Sequence, residues 1–77
     1  MIVKVRASSL FGNIERSYDF INSVLGRPVI EGDRKQIGMI TYYDDKTDTF
    51  NLDIDDEYKE RLMSNEKRSC EIVEIIT

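Results

Sequence analysis

The chain has 77 residues, eleven basic and fifteen acidic side chains, no histidine and one cysteine, for a net charge of −4. That length gives room for one small domain, residues 1–77, and one small core. With Cys70 as the sole cysteine, an internal disulfide is impossible, and without histidine neither a Cys/His zinc site nor a Ser–His or Cys–His pair can be assembled.

Hydrophobic residues at 40% and charged residues at 34% suit a folded chain. No apolar run approaches the roughly 20 residues that a membrane span needs. The opening Met-Ile-Val-Lys-Val-Arg lacks the apolar stretch of a signal peptide, so a soluble, cytoplasmic protein is expected. A core this small contributes only a few kcal/mol of net stability, which makes a homo-oligomer the expected supplement.

In chain order, residues 2–7 predict a strand, with Val3 and Val5 opposing Ile2, Lys4 and Arg6, and Gly12-Asn13 marks a turn. Ile14, Tyr18, Ile21 and Leu25 then recur at helical spacing, with Phe20 and Val24 widening the stripe. Asn13 serves as the expected N-cap, Gly26 as the residue past the helix end, and Pro28 stops it. Pro28-Val29-Ile30 predicts a short edge strand, because proline cannot donate to a ladder, and residues 31–35 a turn.

The clearest periodicity lies in residues 36–54, which predict a hairpin. Phe50, Leu52 and Ile54 alternate with Asn51, Asp53 and Asp55. In the partner run Ile37, Met39, Thr41 and Tyr43 oppose Gly38, Ile40 and Tyr42, which predicts a central strand covered on both faces. The joining segment, residues 44–48, has no glycine, so a loop longer than a tight two-residue turn is expected. Asp55, Asp56 and Glu57 sit where a helix start favours acids, ahead of a helix of about ten residues carrying Tyr58, Leu62 and Met63. Residues 70–76 predict a last strand, apolar on both faces and so either central or covered by a partner. The predicted fold is α+β: a small, mainly antiparallel, strongly bent or half-barrel sheet of four to five strands with two short helices.

Charge is unevenly spread. Residues 44–60 hold eight acids and two bases, whereas residues 1–43 carry six bases and four acids. The acidic run can be read as a cation site, but the calcium-loop pattern fails, since Lys46 falls where an acid belongs and no glycine follows. It can also be read as a surface that meets a basic partner or mimics nucleic-acid phosphates. The simplest reading is a solvated turn followed by a favourably charged helix start. Direct nucleic-acid binding is not expected of a net acidic chain.

The expected binding residues are Asp44, Asp45, Asp48, Asp53, Asp55 and Asp56, with Tyr42 or Tyr43 as an exposed aromatic anchor. No metal, cofactor or catalytic residue is expected; Ser69 and Cys70 lack an obvious base.

The stretch Leu25-Gly26-Arg27-Pro28-Val29-Ile30, followed by Asp33 and Ile37-Gly38-Met39-Ile40, resembles two families. It is similar to the opening hairpin of PRC-barrel domains and to the core of phage prohead proteases, the latter over residues 26–76. The second resemblance implies a strand, a hairpin, a short helix and a final strand, together with a phage origin. Its catalytic histidine is replaced here by Glu31-Gly32-Asp33, while Ser69 stands near the family's serine. It therefore implies a catalytically dead or partner-completed hydrolase.

The leading expectation is a non-enzymatic protein–protein interaction module, an inhibitor or assembly factor, whose partner is basic or itself binds nucleic acid. The alternatives are the degenerate hydrolase and a structural subunit that self-assembles through its strands.

Overall fold

The computed structural model describes residues 1–31, 35–58 and 72–76. Strand β1 (Ile2–Arg6) runs directly into a one-turn helix α1 (Ala7–Phe11). Helix α2 (Tyr18–Val24) follows, then β2 (Pro28–Glu31), β3 (Lys35–Asp44) and β4 (Thr49–Ile54). A 3-10 turn, Asp56–Tyr58, and β5 (Ile72–Ile76) complete the described elements. The five strands form one open sheet in the order β2-β3-β4-β1-β5, antiparallel throughout. No described helix is long and apolar enough to cross a membrane.

The predicted hairpin is β3–β4, and its loop, residues 45–48, is longer than a two-residue turn, as expected of a segment without glycine. Asp48 takes a left-handed backbone, φ 52°, which an aspartate tolerates better than most residues. Phe50, Leu52 and Ile54 are buried, as their alternation demands, with Val3 and Val5 buried beside them on the neighbouring β1. Pro28 lies on an edge strand, and Gly26 sits just past α2 with φ 89°.

Three expectations for the strands need correction. β3 is interior to the sheet but not covered on both faces, because Met39 and Tyr42 are exposed. The cause is a bulge: Ile40 pairs with Leu52 and Tyr42 with Asn51, leaving Thr41 as an extra residue. It puts Ile40 and Tyr43 on the core side instead of alternating faces, and it bends the strand. Register shifts also interrupt β1–β5 and β2–β3. β5 lies at the edge of the described sheet with Val73 and Ile76 exposed, which removes the first of its two expected alternatives, a central strand, and leaves coverage by a partner untouched. β1 ends at Arg6, because Ala7 turns into α1, is fully buried and donates its N–H to the Asp48 carbonyl at 2.9 Å.

The first helix also differs from its expected span. It starts at Tyr18, capped by Ser17, whose hydroxyl accepts the Phe20 N–H at 3.2 Å, and not at Ile14 behind Asn13. Arg16 explains the late start: its guanidinium donates to the carbonyls of Gly12 and Ile14 and holds residues 12–16 out of helix. With only two turns, the buried face is set by Phe20, Val24 and Leu25, while Ile14 and Tyr18 face solvent. Of the second expected helix the described residues include only the start, a 3-10 turn in which Tyr58 is buried; the rest of its span lies outside them. Leu62, Met63, Ser69 and Cys70 lie outside the described residues.

Phe50 is the centre of the core. Phe11 from α1 meets it edge-on with ring centroids 5.4 Å apart, and Phe20 from α2 meets Phe11 at the same distance. Tyr43 packs on the Phe50 ring at 4.8 Å. Such offset and edge contacts are the favoured aromatic geometries. This chain of rings fixes the start of α2 against the end of β3, and that junction carries the site.

Candidate functional site

An open depression of about 590 Å³ lies between the start of α2 and the end of β3, lined by Arg16, Tyr18, Ile21, Tyr42, Tyr43 and Asp45. Adjacent strand residues point to opposite faces, so Tyr42 and Tyr43 can share a depression only where it wraps the strand's flank. That flank is open here. β2 pairs no further along β3 than Met39, and Gly26 and Arg27 close only the next position, by bonds to Ile40 at 2.8 and 3.0 Å. Beyond Ile40, β4 is the one described strand paired with β3.

The two tyrosines play different parts. Tyr43 is half-buried on Phe50 and donates its hydroxyl to Asp48 Oδ1 at 2.6 Å. Burial, with the Asp48 carboxylate beside it, pushes its phenol up to about 12. Tyr42 is 56% exposed and Tyr18 81% exposed. These two hold their rings in water and form the available aromatic surface.

Arg16 brings a cation to the depression, but its charge is taken up. Its Nε donates to Asp48 Oδ1 at 3.1 Å, and its terminal nitrogens donate to the Ile14 and Gly12 carbonyls. The hydrogen bond from Tyr43, and Arg16 beside it, hold the Asp48 carboxyl below the usual range. Asp48 is therefore the knot that ties the loop to β3 and to the segment before α2.

The remaining predicted acids fall in three places. Asp44 points away from the depression: its Oδ1 accepts the Lys46 N–H at 3.0 Å and its Oδ2 lies 3.6 Å from Lys4 Nζ. The Lys46 N–H, with Lys4 nearby, lowers its carboxyl below the ordinary value. Asp45 is exposed in the depression and makes no ion pair among the described residues. Asp53, Asp55 and Asp56 sit at the far end of β4, six residues and roughly 20 Å away at the usual strand rise. There the Met1 ammonium lies 3.0 Å from Asp56 and 3.8 Å from Asp53, while Asp55 is exposed. The structure thus joins Tyr42, Tyr43, Asp45 and Asp48 in one place and separates them from Asp53, Asp55 and Asp56.

Sequence reasoning placed Tyr18 in the core stripe and overlooked Arg16 and Ile21 as site residues. Ser17 followed by Asp19 in a first turn was the available signal, since that cap places Tyr18 at the first, outward-facing turn.

Among the described residues no group of three His, Cys, Asp or Glu side chains could hold a metal ion. Ser69, the serine of the hydrolase resemblance, lies outside them, while its Pro28-Val29 and Ile37–Ile40 segments lie in the neighbouring strands β2 and β3. Compared with protein-family models, curated proteins and solved structures, the chain matches none.

Proposed function

We propose that this chain is a non-enzymatic protein-interaction module, and that it binds through the depression between α2 and β3. The observation carrying this reading is the pair of rings, Tyr18 and Tyr42, held in solvent beside a cluster of packed aromatics. Tyrosine is enriched in binding hot spots because a rigid amphipathic ring gives much contact area for little lost freedom. Here the support is already built: Tyr43 and Phe50 fix the strand, and the Arg16–Asp48 contact fixes the approach to α2. With no histidine in the sequence, the common nucleophile–base pairs are out of reach, which favours binding over turnover.

The acidic contribution to this surface comes from Asp45, because Asp44 and Asp48 are engaged internally. The partner is a protein with a basic contact region, and Asp45 speeds its approach.

The test is quantitative binding of a partner recovered from the native host. The double substitution Tyr18→Ala and Tyr42→Ala weakens binding by about tenfold or more, as loss of hot-spot aromatics does. Unchanged affinity, with the fold intact by circular dichroism, overturns the reading.

A further inference from the structure

We infer that the depression takes an arginine side chain of the partner, its guanidinium lying over the Tyr18 and Tyr42 rings with a charge-assisted bond to Asp45. This rests on the proposed binding role and names its chemistry.

The charges decide it. Of the six lining residues, two carry charge, Arg16 and Asp45. Arg16 is already matched by Asp48 and two backbone carbonyls, so it offers little to an incoming anion. Asp45 has no such match among the described residues. What remains is a carboxylate among three tyrosines, two of them with rings in solvent. The negative faces of aromatic rings attract cations, and a carboxylate beside them adds to the attraction. An anionic or purely apolar occupant would leave Asp45 uncompensated.

Among cations, arginine fits best. Its planar guanidinium can stack on a tyrosine while its fork of N–H groups reaches a carboxylate, whereas an ammonium is more strongly hydrated and has no plane to stack. The open end of the depression suits a side chain delivered from another protein's surface. Ile21 provides apolar lining for the methylene stem.

The test is an NMR titration of the full chain with N-acetylarginine amide, and with the citrulline analogue as a neutral isostere. Saturable shifts are expected at Tyr18, Tyr42 and Asp45, with the citrulline analogue weaker by about fivefold or more. Tyr42→Leu weakens arginine binding about threefold, while Tyr42→Phe, which keeps the ring face, leaves it unchanged. Because Tyr42 is exposed, both variants fold.

Equal binding of the citrulline analogue overturns the inference. So does an equal response at Asp53, Asp55 and Asp56, which would mark diffuse charge attraction, or a preference for a mononucleotide, which would mark a base-stacking surface. Loss of partner binding in the Tyr18→Ala, Tyr42→Ala variant without any arginine response sinks this inference and leaves the binding role standing. Arginine binding with partner affinity unaffected by that variant does the reverse.

Discussion

At the loop end of β4, Asp48 accepts bonds from Tyr43 and Arg16 through its carboxylate, while its backbone carbonyl holds Ala7. At the other end, Asp53 and Asp56 approach the Met1 ammonium from exposed positions, and Asp55 contributes its backbone N–H to Ile37. Both ends are acidic, but at the first, one carboxylate joins side chains from β3 and from the segment before α2, whereas at the second Asp53 and Asp56 both meet a single ammonium. An ion pair whose carboxylate stays in solvent, as those of Asp53 and Asp56 do, contributes little to stability, whereas a part-buried carboxylate with several specific donors contributes more. A count of acids along the chain hides that difference, and function should follow it. The loop end has a fixed frame around Asp45, a carboxylate without an ion pair among the described residues.

The far end has its own rigid point, made by backbone. Gly38 of β3 packs against Ile54 and the main chain of Asp53; a Cβ added there would stand 2.8 Å from Ile54 Cδ1 and would meet the Asp53 carbonyl. Gly38→Ala is therefore the change with the largest expected effect, a loss of about 2–3 kcal/mol from forced overpacking. Chemical denaturation measures it. A neutral result would show that the strands separate freely here and that the far end is the softer one.

Tyr43→Phe probes the loop end without touching the core ring contacts. It removes one hydrogen bond to a charged acceptor that remains paired with Arg16, and about 1 kcal/mol of stability goes with it. The same change removes a spectroscopic feature. A phenol whose folded pKa is raised contributes stability that is complete below the unfolded value, about 10. That contribution is lost as pH rises through about 12. The tyrosinate absorbance near 295 nm should lose its component near pH 12 in the variant, and the two proteins should converge in stability at that pH. Persistence of that component would mean that Tyr43 is not its source.

The sheet was legible where alternation was strict. Phe50, Leu52 and Ile54 declare β4, and Pro28 declares an edge. The faces of β3 were not, because nothing in Ile40-Thr41-Tyr42 marks Thr41 as the extra residue; its partner strand decides that. α1 was hidden for a related reason: Ala7–Phe11 is too short for a periodic signal, and it forms because Ala7 and Phe11 are held by Asp48 and Phe50. The site inherits both failures. Tyr42 could be paired with Tyr43 from the sequence, but which ring faces water depends on the bulge. Tyr18 could be exposed only if Arg16 delayed the helix, a contact that needs the fold to be in place first.

The smallest expected effect is also the most direct test of the contrast between the two ends. Asp48→Asn keeps an oxygen acceptor and a residue that tolerates the left-handed backbone, and it removes only charge. It should cost about 0.5–1 kcal/mol at neutral pH, whereas Asp55→Asn, an exposed carboxylate without an ion pair among the described residues, should change stability by less than about 0.5 kcal/mol. The sign with pH follows from the lowered carboxyl of Asp48. Its stabilisation is present above the unfolded carboxylate value, about 3.9, and is lost as pH falls through the lower folded one. The gap between wild type and Asp48→Asn should therefore be full at pH 6 and close on acidification below about pH 4. If instead the two substitutions cost the same at neutral pH and the Asp48→Asn gap does not close in acid, Asp48 is another solvated acid, and the frame around the depression is held by the aromatic rings alone.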